Sequence, residues 1–231
     1  MASITPTPLI FQNLVRVSFS AAFPTRNPRR QHLSYLRRTP HASAISAASP
    51  AVSKPDVLVD SLLSKVLESD RGVLLTREDH RKVAEMVREL ERFCVEKPVN
   101  CPLIFGEWDV VYCSNPTSPG GLYRSALGRL FFKTKEMVQV LEAPNIVRNR
   151  VCFSILGFID GEVSLTGKLN VLDEKWIEVI FKSPEIKIGG LELAYGGESE
   201  VKLEILYVDE KMRLGKGSRG SLFVFRRRDI V

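Results

Sequence analysis

What most restricts the fold of this chain is a series of short apolar runs after Cys101-Pro102, alternating with period two and joined by turn formers, with no helical segment between them. The clearest is Glu162–Leu172, where Val163, Leu165, Gly167, Leu169 and Val171 alternate with Glu162, Ser164, Thr166, Lys168 and Asn170. One side of that strand is dry and the other wet. Further strands are expected at Glu107–Cys113, Glu136–Glu142, Asn145–Leu156, Lys175–Lys182 and Val201–Val208, with tight connections at Asp160-Gly161 and Asp173-Glu174. Parallel neighbours would need long crossovers, usually helices, so the sheet is antiparallel. Such a sheet hides its edges most simply by closing, which predicts a barrel of about eight strands.

The stretch Val201 to Val231 carries the closing hairpin. Val201, Leu203, Ile205 and Tyr207 alternate with Lys202, Glu204, Leu206 and Val208, Asp209-Glu210 turns the chain, and Leu222–Phe225 forms a second apolar run. Between them Gly215, Gly217 and Gly220 spell G-x-G-x-x-G. A dinucleotide loop of that spelling opens a helix whose N-terminus holds pyrophosphate, and a kinase glycine loop is followed by a V-A-I-K lysine. Here the β-prone run Ser221–Phe225 follows, and no such lysine motif comes after it. The glycines therefore read as a bend or bulge where the last strand closes the sheet.

Two amphipathic helices precede the strands. In Asp56–Ser69, apolar Val57, Leu58, Leu62, Leu63, Val66 and Leu67 recur at helical spacing, and Gly72 ends the pattern. Thr76 opens a second helix with Asp79 as its capping acid; Val83, Met86 or Val87, Leu90 and Phe93-Cys94 face inward, and Pro98 stops it. Its outer face mixes both signs of charge, as a solvated face does. Residues 1–52 differ in kind: they are rich in Ser, Thr, Ala and Pro and contain Arg16, Arg26, Arg29, Arg30, Arg37 and Arg38 with no Asp or Glu. That is the composition of a chloroplast transit peptide, cleaved near Ala42–Ser49. The whole formal charge of +6 resides there, and the remaining chain carries 27 basic and 27 acidic residues. The expected organisation is a leader over 1–52, a helical segment over 53–98 packing on the barrel, and the barrel over 99–231.

The residue pattern excludes several chemistries. Cys94, Cys101, Cys113 and Cys152 form no C-x-x-C, and His80 stands apart from His32 and His41, so no metal set is spaced for ligation and the thiols read as reduced. No apolar run is long enough for a membrane-spanning helix. The run Arg226-Arg227-Arg228 is short and lacks interleaved aromatics, so nucleic acid is not an expected partner. Asp209 with Tyr207 or Tyr112 is the best acid-phenol pair on offer, and a turn acid with wall aromatics explains it more simply. No catalytic residue, cofactor or metal is expected.

Gly106-Glu107-Trp108 opens the first strand as G-x-W, which is similar to lipocalins, where a basic residue near the last strand covers the tryptophan; Arg219 or Arg226 would take that part. Together with LIFGEWDVVYCS and YVDEKMRLGKGSRGSLFVFRR, the pattern resembles the plastid-lipid-associated protein (fibrillin) family over about residues 56–228. The resemblance implies a lipocalin-like barrel behind N-terminal helices and a chloroplast protein at plastoglobules or thylakoids, associated with prenylquinones, carotenoids or similar lipids. It also implies a family motif at Gly106, Trp108, Asp209, Arg213, Gly215, Gly217, Arg219 and Gly220. Lipocalins place their helix after the barrel, so their pocket positions do not transfer.

The ligand-lining candidates are Trp108, Tyr112, Phe153, Phe158, Trp176, Phe181, Tyr207 and Phe223, with Ser114–Leu127 as a cover over the mouth. Two roles stay open. One is a non-catalytic binder of apolar plastid lipid at a plastoglobule or membrane surface. The other is a scaffold that docks an enzyme of lipid metabolism, as a protein partner, on the two helices.

Overall fold

The helices form because both ends are written into the sequence. The computed structural model describes residues 53–115, 128–194 and 196–228. Helix α1 (Lys54–Leu67) is capped by Ser53, and α2 (Arg77–Glu91) by Thr76, each in a reciprocal capping box with an aspartate, Asp56 or Asp79. A hydrogen bond from Lys65 Nζ at 2.6 Å, then those from Thr76, hold the Asp79 carboxyl well below its ordinary value of 3.8. Its contribution is complete above that value and is lost as the pH falls below it. Replacing Thr76 with Ala is expected to cost about 1 kcal/mol in urea unfolding, the usual loss of an N-cap.

The predicted barrel is present. Eight strands close: β1 (Gly106–Cys113), β2 (Phe132–Glu142), β3 (Ile146–Ile155), β4 (Ile159–Val171), β5 (Trp176–Phe181), β8 (Ser199–Val208), β9 (Met212–Gly217) and β10 (Leu222–Arg227). All neighbours are antiparallel, β1 pairs with β10, and the β3–β4 ladder completes the ring. A hairpin of β6 (Glu185–Ile188) and β7 (Leu191–Ala194) lies between β5 and β8 in sequence. Strand β6 continues the line of β5 along β4, pairing with Gly161–Ser164 after β5 has paired with Gly167–Val171. Short 3₁₀ turns at Pro98–Asn100 and Pro102–Ile104 lead into β1.

Two apolar cores result. Inside the barrel, Trp108, Val110, Met137, Leu141, Val147, Val151, Leu165, Ile177, Leu203 and Phe225 pack together. Outside it, Val59, Leu62, Leu63 and Val66 of α1 and Val83, Val87 and Leu90 of α2 pack on the outer face of β1, β8, β9 and β10. Each such aliphatic burial contributes about 1.5–3 kcal/mol before chain entropy is counted. The outer sheet face meets the helices with Tyr112, Leu206, Tyr207, Met212, Leu214 and Val224.

Two β-bulges decide which residues face outward. In the β1–β10 ladder the register passes from Val110↔Phe225 to Tyr112↔Val224, skipping Val111, and in β8–β9 it passes from Ile205↔Gly215 to Tyr207↔Leu214, skipping Leu206. One inserted residue reverses the facing of the residues beyond it. Trp108 and Val110 therefore point inward while Tyr112 points to the helices, and Tyr207 does the same after Ile205.

Several sequence expectations change in detail. The glycine-punctuated arm is the strand β9 with a Ser218–Gly220 turn, in which Gly220 has a positive φ of 86°. The β6–β7 hairpin is an additional element, written in the alternation of Glu185–Ile188 and Leu191–Ala194 around Gly189-Gly190. Gly128–Phe131 forms one helical turn ahead of β2. Most of the mouth cover expected at Ser114–Leu127 lies outside the described residues.

Candidate functional site

Among the described residues, the barrel is plugged at one end and uncovered at the other. At the closed end Trp108 is fully buried, and its Nε1 donates to the Ile104 carbonyl at 3.0 Å. The guanidinium of Arg227 lies 4.1 Å from the ring centroid and donates to the carbonyls of Leu103 and Phe105. Arg227 is also the residue paired with Trp108 across β1–β10. Gly106, at φ 122°, leaves the path of that side chain clear: a Cβ there would stand 2.6 Å from Arg227 Nη1. This is the physical content of the G-x-W pattern. Arg219 and Arg226 do not cover the tryptophan as expected. Arg219 is exposed in the β9–β10 turn, and Arg226, one residue out of phase with Arg227, faces outward to pair with Asp109 at 2.8 Å.

A second guanidinium lies within the barrel. Arg213 has no exposed surface and stands 5.0 Å from the Trp108 ring and 4.2 Å from the Phe225 ring. Its Nη2 donates to Gln139 Oε1. Burial, then the positive charge of Arg227, pushes its pKa down.

Above these groups is a hollow of about 80 Å³, walled by apolar side chains of β1, β2, β3, β5, β8 and β10. Its polar lining comes from Gln139 and Asn149. Phe181 and Phe223 line it, and Phe153 is buried nearer the open end, its ring resting where a side chain on Gly161 would be. A Cβ at Gly161 would come within 2.5 Å of that ring.

The open end is rimmed by exposed apolar side chains. Leu130 and Phe131 precede β2, Leu156 and Phe158 form the β3–β4 turn, and Leu191 and Leu193 lie on β7. The Leu156 amide donates to the Phe131 carbonyl at 2.7 Å and the Gly189 amide to the Asp160 carbonyl at 3.2 Å, which ties the three segments together. Phe158 is 75% exposed and Leu191 70%.

Of the sequence-predicted lining residues, Trp108, Phe153, Phe181 and Phe223 belong to the interior. Phe158 lies on the rim, and Trp176 is half-buried on the outer face of β5, where it alternates with inward Ile177. Tyr112 and Tyr207 are corrected to the helix side by the two bulges. A 2.7 Å hydrogen bond joins the Tyr112 hydroxyl to His80 Nδ1, so His80 is half-buried and engaged rather than a free surface residue. Tyr207 donates to Asp209 Oδ2 at 2.9 Å, while Asp209 Oδ1 accepts from the amides of Lys211 and Met212. That pair anchors the β8–β9 turn and does not face the hollow. In the rest of the motif, Gly215 lets Leu203 pack at 3.1 Å from where its Cβ would be, and Gly217 ends β9. Cys94, Cys101 and Cys152 are free thiols, Cys113 Sγ donates to the Asn115 carbonyl at 3.0 Å, and among the described residues no group of three His, Cys, Asp or Glu is placed to hold a metal. No helix of the described residues is long and apolar enough to cross a membrane.

Sequence reasoning passed over Gln139, Asn149 and, Phe158 apart, the rim. A signal for the first two existed: each occupies an inward position between apolar neighbours, Met137 and Leu141 or Val147 and Val151. Of the rim residues, Leu191 and Leu193 alternate about Glu192, while Leu130, Phe131, Leu156 and Phe158 carry no period-two signal.

The family model PAP_fibrillin matches residues 57–195, more than half of the chain. The chain belongs to the PAP_fibrillin family. Its similarity to probable plastid-lipid-associated protein 8, chloroplastic, of Arabidopsis thaliana reaches 62% identity over 187 residues, covering 80% of this chain and 78% of that protein. Probable plastid-lipid-associated protein 5, chloroplastic, of the same plant is 26% identical over 172 residues, covering 73% of this chain and 68% of that protein. No solved structure matches. The family match spans α1 through β7, while the Asp209–Gly220 motif lies beyond it, in the strands that complete the barrel.

Proposed function

We propose that this PAP_fibrillin member is a non-catalytic chloroplast protein that binds apolar lipid, with the open end of its barrel seated on a plastoglobule or thylakoid surface. The observation that carries this reading is the apolar rim around the same end toward which the hollow's Phe181 and Phe223 lie. A contiguous exposed apolar patch is costly in water and marks an interaction surface. The names of both Arabidopsis relatives, plastid-lipid-associated and chloroplastic, support it, as does the acid-free composition of residues 1–52. Size refines the reading. Sites for drug-sized ligands run to about 300–1,000 Å³, so a hollow of about 80 Å³ takes only the end of a slender chain, while the rest of such a chain and bulkier prenylquinones and carotenoids are held at the rim. The scaffold alternative finds less support, because α1 and α2 spend their apolar faces on the barrel.

Flotation with galactolipid vesicles tests the rim. The Phe158→Ser, Leu191→Ser double variant should bind about tenfold more weakly or worse, since each fully buried apolar side chain is worth about 1.5–3 kcal/mol. Undiminished binding by a folded double variant would remove the rim from the function. Purified protein free of lipid, with a stoichiometric protein partner, would favour the scaffold instead.

A further inference from the structure

One charge lies inside the barrel with nothing opposite it. Arg213 is fully buried, yet its Nε and Nη1 have no hydrogen-bond partner among the described residues, and the partner of its Nη2 is a neutral amide. Guanidinium groups stay charged in proteins. Contact with the Trp108 and Phe225 rings offsets only part of the cost of dehydrating a cation. The nearest positive neighbour, Arg227, adds to that cost, and the pKa of Arg213 is depressed accordingly.

The groups above Arg213 are also incomplete. Gln139 and Asn149 are direct partners across the β2–β3 ladder, and both line the hollow. Asn149 is 4% exposed, and its Oδ1 has no hydrogen-bond partner among the described residues. Because Arg213 occupies the carbonyl oxygen of Gln139, the N–H donors of that amide remain for whatever enters the hollow. Asn149 can offer either end of its amide by rotation. Two polar side chains thus face an otherwise apolar hollow, with Arg213 behind Gln139, and a pure hydrocarbon there would leave them unmet.

We propose that Gln139 and Asn149, backed by Arg213, bind the carboxylate of a single-chain lipid acid, whose acyl chain runs along the apolar hollow toward Phe181 and Phe223. The carboxylate accepts hydrogen bonds from the two amides, and Arg213, one hydrogen bond below, supplies the counter-charge. At about 80 Å³ the hollow admits the carboxyl end of one chain, and the rest of that chain extends past Phe181 and Phe223 to the rim. This inference rests on the lipid-binding reading above and narrows it to a head group.

The test is calorimetric titration of the full chain with dodecanoate, methyl dodecanoate and dodecanol, all below micellar concentration. Dodecanoate should bind at least tenfold more tightly than its ester or alcohol. Asn149→Leu, which leaves the Arg213–Gln139 bond in place, should cut that preference severalfold, and Arg213→Met should abolish it while the ester still binds. Circular dichroism confirms that each variant is folded. Equal affinity for acid, ester and alcohol would overturn the head-group assignment and leave the lipid-binding reading intact. Binding of none of the three would overturn both. An acid preference that survives in both variants would place the carboxylate elsewhere and overturn the assignment.

Discussion

Replacing Trp108 with Ala should lower the unfolding free energy by about 3–5 kcal/mol, the range for deleting a buried large aromatic. The ring is fully buried and plugs the closed end. Its removal also strips Arg213 and Arg227 of a shared π surface, and Arg227 is the residue that ties the Leu103 and Phe105 carbonyls to β10. Trp108→Phe keeps a ring but leaves the Ile104 carbonyl without its Nε1 donor. That variant should lose less, about 1–3 kcal/mol, from an unmet buried group and a smaller side chain. Guanidinium titration followed by circular dichroism measures both. A loss below about 1 kcal/mol for Trp108→Ala would mean that the closed end is held by the strands alone, contrary to the packing seen.

How far the sequence could be read depended on how each signal is encoded. The alternation at Glu162–Leu172 and the absence of helical spacers forced an antiparallel ladder, and closure came from edge protection. Thr76 and Asp79 act within one helical turn, so their capping box was readable directly. The facing of Tyr112 and Tyr207 was not readable, because Val111 and Leu206 are ordinary strand residues with nothing to mark a bulge. The bulges are favoured by tertiary packing: the helices need large side chains from β1 and β8 to complete the outer core. The arginine over Trp108 was misread by one position. Counting cross-strand partners would have found Arg227, but β1 and β10 are far apart in the chain and no turn joins them to fix their register. The polar lining of the hollow was legible as two amides on inward positions, whereas the burial of Arg213 depends on Trp108 and Phe225 meeting it from two other strands. The β6–β7 hairpin was legible and was passed over: Ile186 and Ile188 alternate with Glu185 and Lys187, Leu191 and Leu193 flank Glu192, and Gly189-Gly190 between them is a two-residue hairpin turn.

The placement of Tyr112 outside the barrel has a consequence as large as that of Trp108. Tyr112→Ala should cost about 3–5 kcal/mol, because the side chain is fully buried between β1 and the helices. Tyr112→Phe removes only the hydroxyl that meets His80 Nδ1 and should cost about 1 kcal/mol. Burial pushes the pKa of the phenol up, so the group is a neutral O–H throughout the ordinary pH range. The two faces of the sheet then give opposite readouts. Losing Tyr112 should loosen α1 and α2, seen as faster amide hydrogen exchange over residues 54–91, while dodecanoate binds a still-folded barrel within about twofold of the wild-type affinity. Phe181→Ala, on the inner face, should alter dodecanoate affinity and leave exchange in the helices unchanged, because it widens the hollow without touching the outer core. If Tyr112→Ala weakened dodecanoate binding and left the helices protected, Tyr112 would line the hollow and the bulge at Val111 would not govern the site.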